Sequence, residues 1–159
     1  MSWWSDITAL LASKVNSQNV RYEVHPAGAG VAIVSDGVAA AWAFPGADAH
    51  VEIVAAAIIT APCQIAGLFI LANTLEAACY ADIAIGVGPD GADIDRFIAS
   101  YFSELAPAAG VVRPVVFVPA PYPVRVATSL RLSGRIRKSS VASGVGVTVK
   151  VLLATAVGT

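Results

Sequence analysis

The stretch VRVATSLRLSGRIR, residues 124–137, leaves few ways for this chain to fold. Val124, Val126, Leu130, Leu132 and Ile136 fall at even positions, while Arg125, Ser129, Arg131, Ser133, Arg135 and Arg137 fall at odd ones. A period of two sends the aliphatic side chains to one face of a β-strand and the polar ones to the other. The spacing therefore predicts one long, half-buried strand with a basic outer face. No acidic residue lies in or beside the stretch, so that face is expected to meet water, an acidic protein surface or a polyanion.

Most of the chain reads the same way. The short apolar runs VAIVS, AAAWAF, VEIVAAAII, CQIAGLFILA and CYADIAIGVG are punctuated by turn formers in HPAGAG and PGADAH. IDRFIASYFSEL fits two patterns: Phe97, Tyr101 and Leu105 make a helical stripe, whereas Phe97, Ala99, Tyr101 and Ser103 make one strand face. Pro114, Pro119, Pro121 and Pro123 have no amide hydrogen to give to a ladder, so their segment is expected at a sheet edge or as a crossing piece. VGVTVKVLLATAV closes the pattern with Val145, Val147, Val149, Val151 and Leu153 on one face.

Seven or eight strands with no row of helices between them predict an all-β fold, a two-sheet β-sandwich of jelly-roll or immunoglobulin-like order, rather than a parallel α/β fold. Residues 1–20, with Asp6, Ile7, Leu10, Leu11 and Lys14, read as an N-terminal arm or short helix, and residues 21–159 as a single β-sandwich domain.

At 159 residues the domain can bury a core without disulfides or metals. Only 13% of residues are charged and the formal net charge is −1, so any electrostatic function must be local. The hydrophobic fraction, 57%, points to a protein that buries part of its outside in an oligomer or larger assembly. The opening MSWWSDITALL lacks the basic and apolar regions of a signal peptide, which makes cytoplasmic synthesis the default. The charge-free interval between Glu52 and Glu76 has the length of a membrane helix, but Pro62, Gln64, Gly67 and Asn73 favour two buried strands, and no membrane partner is expected.

Little in the chain points to catalysis. His25 and His50 are the two histidines, and with Ser35, Asp36 and Cys63 they match no nucleophile elbow, so no enzyme is expected. His25, His50, Cys63 and Cys79 have zinc-ligand chemistry without the close pairing of a zinc site, and the cysteines read as buried thiols. The glycines at 28–30, 86–88 and 144–146 make no nucleotide fingerprint. The loop PDGADID presents Asp90, Asp93 and Asp95, with Asp82 before it, and such carboxylates suit a hard cation. Calcium is therefore the one cofactor left open. Asp90-Gly91 more simply makes a tight turn, with Asp95 and Arg96 available for local pairing.

Candidate contact residues are Arg125, Arg131, Arg135 and Arg137, the terminal Trp3 and Trp4, and Pro119 and Tyr122 of the proline-rich edge. The near-neutral charge, together with the acidic residues between Asp82 and Glu104, favours pairing of the arginine face with the acidic face of a neighbouring subunit. Nucleic acid is not an expected partner. Trp3 and Trp4 fit packing on a neighbour or on the domain's own edge, and Trp42 fits core or interface packing better than sugar binding.

Three stretches, YADIAIGVGPDGADID, RPVVFVPAPYPVRVATSLRLSGRIR and VTVKVLLATA, resemble small β-sandwich proteins of tailed-phage and gene-transfer-agent particles. The likeness spans Val51 to Ala156: a strand ending in an IG-x-G turn, a PxPxxV approach to a strand containing arginines, and a closing valine-rich strand. The resemblance implies a jelly-roll virion structural protein, such as a capsid decoration or head-fibre protein. It also implies a symmetric oligomer, for instance a trimer, bound to the major capsid or another particle protein. A tail or receptor-binding part fits it too, and it carries no catalytic residues. The competing expectation is a carbohydrate- or receptor-binding module, calcium-dependent if the aspartate loop holds the ion.

Overall fold

The valine run near the C-terminus forms the centre of a sheet. In the computed structural model, which describes residues 20–34, 44, 50–75, 78–104, 115–139 and 146–156, it is the last of nine strands among the described residues. In chain order these are β1 (Val20–His25), β2 (Val31–Val34), β3 (Val51–Val54), β4 (Cys63–Asn73), β5 (Cys79–Gly88), β6 (Ile94–Ser103), β7 (Val116–Val126), β8 (Arg131–Lys138) and β9 (Gly146–Ala156). They build a five-stranded sheet, β1-β9-β4-β7 with β2 also on β9, and a four-stranded sheet, β3-β8-β5-β6. Every pairing is antiparallel. The chain is all-β and its two sheets form a sandwich, as the alternation predicts.

The pairings are nested: β2 with β9, β3 with β8, β4 with β7, β5 with β6. The chain thus runs as one antiparallel ribbon whose tip is the β5–β6 turn, and successive pairs alternate between the two layers. At the tip, Ala92 N–H donates to Pro89 O and Gly91 takes a φ of 75°, the left-handed conformation that glycine adopts without cost.

The core lies between the layers. Ile65, Leu68 and Ile70 of β4 and Val147, Val149, Val151 and Leu153 of β9 face Ile83, Ile85 and Val87 of β5 and Leu132 and Ile136 of β8. Gly134 leaves room there for the opposite sheet: a Cβ on it would stand 2.5 Å from Ile33 Cδ1. On β4 the buried parity shifts from Cys63 and Ile65 to Leu68 and Ile70 because Ala66 is an extra residue against β9.

The structure revises several readings. Residues 124–137 are two strands in two sheets, since β7 ends at Val126 and β8 begins at Arg131. Ser129, at φ 62°, makes the turn between them and donates its N–H to Ile59 O at 3.0 Å. Leu130 keeps the parity of Leu132 and so hides the break. VEIVAAAII is β3 followed by a 3-10 turn at Ala56–Ile58, not one strand. IDRFIASYFSEL is a strand from Ile94 to Ser103. The charge-free interval folds as β3, that turn and β4, and no helix of the described residues is long and apolar enough to cross a membrane. The N-terminal arm with Trp3 and Trp4, AAAWA with Trp42, Ser35 and Asp36 lie outside the described residues.

Candidate functional site

β8 directs Arg131, Ser133, Arg135 and Arg137 to the outer side of the four-stranded sheet, away from Leu132 and Ile136. Next to β8, β5 turns Ala84, Gly86 and Gly88 to the same side. Strands lie about 4.8 Å apart, so β8 and the start of β6 are separated by roughly 10 Å, the combined reach of an arginine and an aspartate. A middle strand with almost no side chains lets the two meet.

Arg131 Nε donates to both oxygens of Asp93, at 3.1 and 3.2 Å, its Nη1 lies 2.5 Å from Asp90, and Ser133 Oγ donates to Asp93 at 2.7 Å. Arg135 Nε donates to Asp95 Oδ2 at 3.2 Å, and His50 Nε2 lies 2.8 Å from Asp95 Oδ1. Arg137 donates twice to Asp82 Oδ2, at 2.9 and 2.7 Å, while Ser100 Oγ donates to Oδ1 at 2.7 Å. Phe44 covers two rungs of this ladder, with Arg135 Cζ 5.2 Å and Arg137 Cζ 4.7 Å from its ring centre. His50 fits over Gly86, where a Cβ would come within 2.9 Å of its Nε2.

The acidic counter-surface expected on a neighbour is therefore met within the chain. Partners 38 to 55 positions away in sequence become cross-strand neighbours once β5 and β6 lie beside β8. Burial pushes the Asp93 carboxyl up, but hydrogen bonds from Arg131 and Ser133 and the charges of Arg131 and His50 outweigh it and hold Asp93 below the usual carboxylate range. Asp95 behaves alike: burial raises it, and the bonds and charges of Arg135 and His50 bring it down further. Asp93 raises the Arg131 guanidinium in return.

The three aspartates read as a calcium loop are thus engaged by guanidinium groups: Asp90 and Asp93 by Arg131, Asp95 by Arg135 rather than by Arg96. Among the described residues no three His, Cys, Asp or Glu side chains gather as a metal site. His25 ends β1 in one sheet while His50 lies outside the other, so the zinc set is divided. Cys63 and Cys79 are buried free thiols, and burial raises the Cys63 pKa.

Comparison with protein-family models, curated proteins and solved structures found no match. The surfaces themselves carry the functional reading.

The outer face of the five-stranded sheet is the opposite of the ladder. Register places Val24, Leu152, Gly67 and Pro119 in one row across β1, β9, β4 and β7, and Lys150, Phe69 and Phe117 in the next. Tyr22 is 61% exposed and Phe117 43%. Phe117 packs on Phe69 with ring centres 4.8 Å apart and lies over Gly67, where a Cβ would be 2.5 Å from the ring. One sheet thus covers its charged face with its own ion pairs, and the other presents a largely apolar one broken by Lys150, Gln64 and Arg125. Sequence reading missed this face because its residues come from four strands, and no single run is unusual.

Arg125 belongs to this second sheet, exposed opposite Gln64 of β4, and not to the ladder. The proline edge is more irregular than a strand. β7 pairs Pro119 with Gly67 and Val124 with Ile65, so Ala120, Pro121, Tyr122 and Pro123 stand against the single residue Ala66 and arch out as a knuckle. Tyr122 OH donates to the carbonyl of Arg96, the extra residue where β6 slips register against β5, and fastens the knuckle down. Pro119 and Tyr122 are both exposed.

Proposed function

We propose that this protein is a non-enzymatic structural subunit that assembles through the outer face of its five-stranded sheet. The observation that carries the reading is the apolar surface that Val24 and Leu152 make in one row and Phe69 and Phe117 in the next on that open face. Four strands at about 4.8 Å and eleven residues at about 3.3 Å give a face of roughly 700 Å². The whole face, which also carries Lys150, Gln64 and Arg125, is thus close to the roughly 800 Å² per partner of a stable interface. A second copy of the chain is the natural occupant, because the same face on both subunits makes a closed two-fold contact.

The nested strand pairing supports a jelly-roll reading of the sandwich. The resemblance to phage and gene-transfer-agent proteins supports a role as a capsid decoration or related virion component, in which many weak contacts made together would hold the subunit to a repeated surface. The ladder serves this role from within, fixing β5, β6 and β8 as a rigid layer. Calcium has no part in the proposal.

The test is solution mass by light scattering after size-exclusion chromatography, without detergent, at tens of micromolar. The wild-type chain is expected as a discrete multimer and Leu152→Lys, which puts a charge at the centre of the face, as a smaller species of unchanged fold. A wild-type monomer, or a variant of undiminished mass, overturns the reading.

A further inference from the structure

At the far end of the ladder sheet, Tyr80 and Phe102 stand out of β5 and β6, 59% and 39% exposed, with ring centres 4.4 Å apart and planes tilted by 36°. They border an open cleft of about 530 Å³ that is also lined by Ala81, Asp82, Ser100, Tyr101 and Ser139. Its frame is fixed. Tyr80 N–H donates to Ser139 Oγ at 2.9 Å, Ser139 N–H donates back to Tyr80 O at 2.8 Å, and Asp82 is held by Ser100 and Arg137. The two rings and the apolar floor beside them make a rigid platform open to solvent.

The chain itself carries a segment that suits such a platform. Tilted aromatic pairs accept proline-rich segments, whose rings are rigid before binding and so lose little entropy when they dock. The knuckle presents Pro121 and Pro123, both exposed, and its prolines cannot extend a ladder. Within one chain the two features cannot meet. Tyr122 anchors the knuckle at Arg96, near the start of β6, whereas Phe102 lies at its other end, six residues or roughly 20 Å away.

We infer that the proline knuckle of one copy docks in the Tyr80–Phe102 cleft of the next, giving a head-to-tail contact distinct from the sheet-face contact. Such a heterologous interface joins subunits into a ring or a row, whereas the sheet face joins them in pairs. The inference rests on the assembly reading, but Tyr80, Phe102, Pro121 and Pro123 lie outside the sheet-face rows, so the two fail separately.

The experiment starts from the full chain carrying Leu152→Lys, which removes the sheet-face contact. Its mass is expected to rise with concentration. Tyr80→Ala with Phe102→Ala, or Pro121→Ser with Pro123→Ser, should each leave it monomeric with an unchanged circular dichroism spectrum. Mixed in equal amounts, the cleft variant and the knuckle variant are expected to recover a 1:1 pair, since one keeps a good knuckle and the other a good cleft. A synthetic peptide of residues 116–126 should shift the Tyr80 ring resonances saturably, with affinity about tenfold weaker in Phe102→Ala. Failure of the mixture to pair, variants that self-associate like their parent, or a Leu152→Lys chain that is monomeric throughout overturns the inference. So does a cleft that ignores the peptide and responds to simple sugars, which would make it a saccharide site.

Discussion

Arg131 and Asp93 face one another across β5, with the Asp93 side chain 0% exposed and the guanidinium gripping both carboxylate oxygens. A pair this buried is valuable only while complete, because removing one member leaves the other's charge without compensation. Arg131→Ala is expected to lower unfolding free energy by about 3–5 kcal/mol. Asp93→Asn alone should cost less, since Asp90 still holds Arg131. In the Arg131→Ala, Asp93→Asn double variant the losses should fall short of additive, the sign of a direct coupling. Urea unfolding of the four proteins measures it, and strict additivity would show that the pair is not coupled.

The same carboxylates set the acid limit of the fold. Asp93 and Asp95 titrate below their unfolded values, so the unfolded chain takes up protons first as pH falls. Their contribution is therefore complete above the unfolded value of about 3.9 and is lost as pH drops through the lower folded values. Urea midpoints should fall steeply below about pH 4. Asp93→Asn and Asp95→Asn should each start lower at neutral pH and fall less steeply in acid. A wild-type acid limb no steeper than that of the variants would remove these two groups from the explanation.

Gly86 gives a test of opposite kind. Replacing a strand glycine by alanine ordinarily gains roughly 0.5–1 kcal/mol through the unfolded chain. Here the new Cβ would lie 2.9 Å from both His50 Nε2 and Ser133 Oγ, so Gly86→Ala is expected to cost about 1–3 kcal/mol instead. His50→Ala opens the space, and the double variant should regain part of the loss. Denaturant midpoints decide the matter, and a stabilised Gly86→Ala would mean that His50 does not sit tightly on β5.

How much of this was readable from residue order follows from the range of each interaction. Alternation is local, so β8, β9 and the sandwich class are legible in it. The break at Ser129 is not, because Leu130 and Leu132 share one parity on the two sides of a change of sheet. The ladder depends on which strands become neighbours, and periodicity carries no such information. A signal was nonetheless present: Ala84, Gly86 and Gly88 alternate with Ile83, Ile85 and Val87, and a strand with one stripped face has something lying across it. The knuckle was legible only as an edge, since its outward arch arises from the single Ala66 opposite it.

The response of assembly to salt separates the two outer faces. Three of the four arginines that drew attention in the sequence, Arg131, Arg135 and Arg137, are engaged inside their own layer by Asp93, Asp95 and Asp82, while the open face is largely apolar, with Lys150 beside Phe69 and Arg125 opposite Gln64. At about 1 M salt the Debye length shrinks to about 3 Å, which weakens contacts between exposed charges and leaves apolar contacts intact. Kosmotropic salts such as sulfate strengthen apolar burial further. The multimer is therefore expected to keep its mass in concentrated sodium chloride and to tighten in sulfate, as measured by light scattering across a dilution series. Dissociation in sodium chloride would mean that charged groups hold the subunits together, and would return Arg125 and the outer edge of the ladder to the interface.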